Sequence, residues 1–143
     1  MACQALDLAR CSVTVELATS RFQDAELIRA SDLVPVGISV GWPKFALGYT
    51  ALYMRELAPY GLLHIEDAEQ FDAAYIARLE AVGPDVFAKR FAAVAAEHDK
   101  PGLALLCFDP VGVPCHRHVF GRWWGHVTGQ QVPELQSPQP SLW

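Results

Sequence analysis

No CxxC pair occurs in this chain. Its four cysteines, Cys3, Cys11, Cys107 and Cys115, are too few and too scattered for a secreted disulfide scaffold. Reduced, unpaired thiols in a cytoplasm are the expectation. No apolar run reaches the roughly 20 residues needed to cross a bilayer. The amino-terminal MACQALDLARC has no sustained apolar stretch, so no secretory signal is expected. Positive charge is in deficit, with 11 Lys and Arg against 16 Asp and Glu and a net charge of -5. That argues against broad, non-specific nucleic-acid binding and leaves room only for a local basic cleft. No internal repeat is visible.

What is present is a core-forming composition. Apolar residues make up 52% and charged residues 19% of 143 positions, a globular balance. The length suits one domain over residues 1–135, with 136–143 as a frayed carboxyl-terminal tail. Cys11 to Ala18 is rich in β-branched residues and reads as a strand ended by Thr19-Ser20-Arg21. Phe22 to Ala30 follows as a short helix. Leu33 to Val40 reads as a second buried strand, with Pro35 near its start and a Gly41-Trp42-Pro43-Lys44 loop after it. A short helix is expected from Thr50, and Leu62 to Ile65 is the candidate for a minor extra strand. Asp67 and Gln70 resemble a capping box, opening a helix with Phe71, Tyr75, Leu79 and Val82 on one stripe. Gly83-Pro84 stops it, and Asp85 is placed to cap the next helix, Val86 to His98, with Phe87, Phe91, Val94 and Ala95 inward.

The most informative stretch is Leu103 to Trp124, LALLCFDPVGVPCHRHVFGRWW. Its first six residues form a continuous apolar run between turn signals, as in a strand buried on both faces. A Pro- and Gly-containing loop follows, and a helix begins near Cys115 with Val119, Phe120, Trp123 and Val127 inward. Of the adjacent Trp123 and Trp124, one is expected in the core and the other partly exposed or covering an oligomer contact. Strands alternating with helices predict a three-layer α/β fold with a short, mainly parallel sheet. Parallel strands end on one edge, where open α/β sheets bind ligands. That edge gathers Ser20 and Arg21, Trp42 and Lys44, and Asp109 with Cys115-His116-Arg117.

The combination of ATSRF, VGISVGWPKF, ELAPYGLL, LLCFD, PCHRHVFGRWW and VPEL, spread over residues 13–135, resembles the domain of unknown function 488 family. The resemblance implies a small α/β domain with the CHR segment as its hallmark and supplies no activity. The chain departs from the commoner pattern at Asp109, where glutamate is usual, and at His118, where arginine is frequent.

Cys115 falls at a helix start, where exposed N–H groups and the dipole favour an anion. With His116 and Arg117 beside it, it is either a reactive thiol or a small packing residue at a tight corner. Cys107, inside the strand, reads as core. Arg117 at a helix start calls for an anion, either a ligand or an internal partner such as Asp109 or Glu134. His116 is the better general base, because His118, two residues on, lies on another face. The order C-x7-C-H-x-H matches no common zinc pattern, so no metal is expected. Ser20, Arg21, Trp42, Lys44, Asp109 and Arg117 are therefore the candidate ligand-binding residues, and Cys115 and His116 the candidate catalytic ones. The reading is a site for a small anionic or nucleotide-like ligand, with chemical modification left open. The alternative is a non-catalytic anion-sensing or protein-interaction domain. The sequence names no cofactor and no oligomeric state, and implies no membrane partner.

Overall fold

The structure, a computed structural model, describes residues 14–108 and 115–136. Four strands, β1 (Glu16–Arg21), β2 (Val34–Gly37), β3 (Leu52–Tyr53) and β4 (Gly102–Cys107), pair in parallel in the order β1-β4-β2-β3. Every residue of β4 is buried, because it lies inside the sheet with both faces covered. Alternation along the strands separates two cores. Leu17, Val34, Val36, Leu103 and Leu105 face α2 (Ala68–Val82), α3 (Pro84–Glu97) and α4 (His116–Thr128). Ala18, Ala104 and Leu106 face α1 (Ala25–Ser31), joined there by Leu33 and Leu135. The result is the expected three-layer α/β fold. Among the described residues no helix is long and apolar enough to cross a membrane.

The local signals work where the chain supplies its own partners. Asp67 caps α2, its side chain accepting from the Gln70 N–H at 3.0 Å. Gly83, at φ 93°, ends α2 and starts α3. Asp85 is therefore not the cap of α3. Pro84 takes the first helical position, where its missing N–H costs nothing, and Asp85 sits in the first turn.

Several boundaries differ because tertiary partners override local propensity. The first strand runs through Thr19-Ser20-Arg21 instead of ending there, since these residues pair with Leu105, Leu106 and Cys107. Of the range read as that strand, 11–13 lie outside the described residues, and Thr14 and Val15 precede β1. The outer edge of β1 is covered by the carboxyl-terminal VPEL segment. The Thr19 N–H donates to Pro133 O (2.9 Å) and the Leu135 N–H to Thr19 O (2.8 Å). No helix starts at Thr50. Leu52 and Tyr53 instead pair with Val36 and Gly37, followed by one 3₁₀ turn at Arg55–Leu57. Leu62 to Ile65 is not a strand but a pair of hydrogen-bonded turns.

Trp123 and Trp124 are both buried, not divided between core and surface. α4 is enclosed widely enough for two directions: Trp123 meets Phe87 (ring centroids 6.1 Å) and Trp124 meets Phe91 (5.3 Å). Val127, expected inward, is exposed near the end of α4. Two close approaches explain glycines that local rules leave open. A Cβ at Gly102 would collide with the Glu16 carbonyl across the β1–β4 pair. One at Gly37 would meet Trp42 at 2.7 Å and Phe22 at 2.9 Å.

Candidate thiol and histidine centre

β4 ends in Cys107, and the described chain resumes at Cys115, the residue that caps α4 in an extended conformation. Alternation puts Cys107 on the same face as Leu103 and Leu105, under α4. There the Cys107 and Cys115 sulfurs lie in bonding contact as a disulfide, with Cα atoms 7.8 Å apart. The expectation of unpaired thiols fails at these two positions. The absence of a CxxC motif did not reveal it, because the two cysteines, eight positions apart, meet only once the helix start lies back against the strand end. Cys3 and Cys11 lie outside the described residues.

His116 opens α4 and is buried. Its Nε2 donates to the Ile38 carbonyl at 2.6 Å, at the carboxyl end of β2. A carbonyl only accepts, so Nε2 carries the hydrogen. In the neutral ring Nδ1 is then an acceptor on the sulfur side, 3.9 Å from Cys115 Sγ. Tyr75 of α2 packs edge-on to the ring at 5.6 Å. Its own hydroxyl donates to Leu57 O (2.6 Å), and burial holds that hydroxyl well above its usual pKa, so it stays protonated.

Arg117 is completely buried. Its Nη1 donates to Cys107 Sγ at 2.8 Å. Its Nε and Nη2 donate to the two oxygens of Glu134 at 3.0 and 3.1 Å. Of the two internal partners the sequence offered, Glu134 is the one seen; Asp109 lies outside the described residues. Glu134 also accepts from Thr19 Oγ1 (2.6 Å) and faces His118 Nε2 (3.3 Å). Burial alone would raise the Glu134 pKa. The hydrogen bonds from Arg117 and Thr19, with the charges of Arg117 and His118, outweigh burial and hold it below its ordinary value. His116 and His118 point to different surroundings, as their spacing requires.

Of the remaining described candidates, Ser20 and Arg21 end β1 and Trp42 lies over the end of β2. Phe22 N–H donates to Cys107 O and Ile38 N–H to Leu106 O, so the three strand ends meet. Ser20, however, is completely buried within β1, and by alternation faces the α1 side, opposite Cys107. Arg21 makes a two-pronged ion pair with Asp24. Trp42 lies over Gly37, edge-on to Phe22 (5.5 Å) and Tyr53 (5.8 Å), with one side open to solvent. Lys44 is exposed. A cleft of about 410 Å³ beside the centre is lined by Thr19, Arg117, His118 and Glu134; neither Arg21 nor Lys44 is among its lining residues.

Thr19 and Tyr75 are site residues that the sequence reading missed. Thr19 was legible only as the residue two after Leu17 on the same strand face. Tyr75 was visible only as part of a core stripe. The chain matches no family model, no curated protein and no solved structure.

The centre therefore combines a sulfur pair, an oriented imidazole and a buried guanidinium. The guanidinium and the start of α4 favour a thiolate, and the imidazole is placed to take a thiol proton.

Proposed function

We propose that Cys107 and Cys115 form a dithiol–disulfide couple that exchanges with small external disulfides. The observation that carries this is the Arg117 guanidinium donating to Cys107 Sγ while that sulfur lies against Cys115 Sγ. Cys115, at the helix cap, is the less buried of the two and attacks first. Its proton passes to His116 Nδ1, and its sulfur displaces one sulfur of the external disulfide. That leaving thiolate takes the proton from His116. The Cys107 thiolate, held by Arg117, then attacks the Cys115 sulfur and releases the second external thiol, which takes up the Cys107 proton. Two protein thiols and one external disulfide become one protein disulfide and two external thiols.

This reading narrows the modification chemistry that the sequence left open. A free phosphate or nucleotide has less support, because the Arg117 fork is already engaged by Glu134. The motif resemblance supports assignment to the domain of unknown function 488 family and adds no activity. A cytoplasm, whose glutathione pool reduces exposed disulfides, is a setting in which such a pair cycles.

Equilibration of the full chain in graded mixtures of oxidised and reduced glutathione tests the couple. Alkylation with iodoacetamide followed by mass mapping is expected to show Cys107 and Cys115 losing reactivity together, in one two-electron step. Independent labelling of the two residues, or labelling only after unfolding at every ratio, would refute the couple. The non-catalytic domain would then be the better reading.

A further inference from the structure

We propose that the reduced centre is also a binding site for a thiophilic divalent cation of the Zn²⁺ class, held by Cys107 Sγ, Cys115 Sγ and His116 Nδ1. The proposal uses the residues of the exchange couple but does not depend on the exchange reaction. Three donor atoms of the type zinc takes, all on buried residues, lie within 4.8 Å of one another. Adjacent residues usually diverge. Here Cys115 is extended and His116 is the first helical residue, so Sγ and Nδ1 come within 3.9 Å.

The surroundings also have the features of a metal site. Metal-binding histidines usually donate their other ring N–H to a carbonyl or carboxylate, which fixes the tautomer and aims the lone pair. His116 does this through Nε2 and Ile38 O at 2.6 Å. Arg117 Nη1 at 2.8 Å from Cys107 Sγ is the matching donor to a metal-bound thiolate. The charges balance as well: a divalent ion offsets two thiolates, and Arg117 offsets Glu134. A neutral cluster avoids the cost of an uncompensated buried charge. Three protein donors leave a fourth position for water or an incoming ligand.

The test starts from full-length protein reduced with a phosphine, so that no thiol competes for metal. Titration with Co²⁺ is expected to produce intense sulfur-to-metal charge-transfer absorption at one equivalent, abolished by stoichiometric Zn²⁺. A Cys3→Ser/Cys11→Ser variant is expected to bind as the wild type does. His116→Ala is expected to weaken Co²⁺ binding by more than about tenfold in protein whose far-UV circular dichroism matches that of the wild type. Failure of the folded, reduced wild type to take up Co²⁺ or Zn²⁺ overturns the proposal, even if glutathione exchange proceeds normally. Loss of the charge-transfer band in the Cys3→Ser/Cys11→Ser variant overturns it as well, because the metal would then sit elsewhere. Metal uptake without glutathione exchange supports this site and counts against the couple.

Discussion

Glu134→Ala is expected to lower the unfolding free energy by about 3–5 kcal/mol, the cost of removing one partner from a buried ion pair. Arg117 is fully enclosed and Glu134 accepts both prongs of its guanidinium, so the variant removes the paired carboxylate from a buried charge that cannot be neutralised. Thr19 loses its acceptor in the same change. Glu134→Gln keeps the shape and one acceptor, and is expected to fall between the two. Urea denaturation midpoints at neutral pH measure the difference. A loss below about 1 kcal/mol, the size of an exposed pair, would show that Arg117 finds other compensation. The pH dependence follows with a definite sign. The folded-state pKa of Glu134 is held below its ordinary 4.5, so its contribution is complete above that value. It is lost as pH falls through the lower, folded value. The wild type should therefore lose stability on acidification below about pH 4.5, and Glu134→Gln should lose less over that range. Equal acid sensitivity in the two proteins would remove Glu134 as the cause.

Phe120→Ala is expected to cost about 3–5 kcal/mol, as large-to-small changes at closed aromatic positions do. Phe120 has no solvent exposure, and its ring meets Phe87, Phe91, Trp123 and Trp124 at centroid distances from 5.6 to 6.3 Å. It joins α3 to α4, and α4 carries Cys115, His116 and Arg117. The cavity should therefore loosen the centre as well as destabilise the fold. Thermal unfolding gives the first effect, and alkylation of Cys115 in the reduced folded protein gives the second. A variant as stable as the wild type would mean that the aromatic layer repacks without loss.

The strand-to-helix corner that holds the candidate centre was legible in the sequence. An unbroken apolar run bounded by turns could be satisfied only by a strand covered on both sides, and β4 is such a strand. The helix after it, and the Cys115-His116-Arg117 row at its start, followed from local punctuation. The capping of α2 by Asp67 was equally local. Thr19-Ser20-Arg21 was read as a strand end because a polar tripeptide resembles one until its backbone is paired, here with Leu105, Leu106 and Cys107 of β4.

Thus the sequence by itself determined the alternation of strands and helices, the three-layer class and the strand-to-helix corner that carries the proposed centre. These depend on periodicity and turn residues within a few positions of one another. The tertiary structure alone decided the partners: Cys107 with Cys115, Arg117 with Glu134, and His116 with Ile38 across 78 positions. Thr19 reaches Glu134 across 115 positions. Such contacts leave no mark on local periodicity. They arise when parallel pairing brings three strand ends to one edge and the carboxyl-terminal segment closes beside β1.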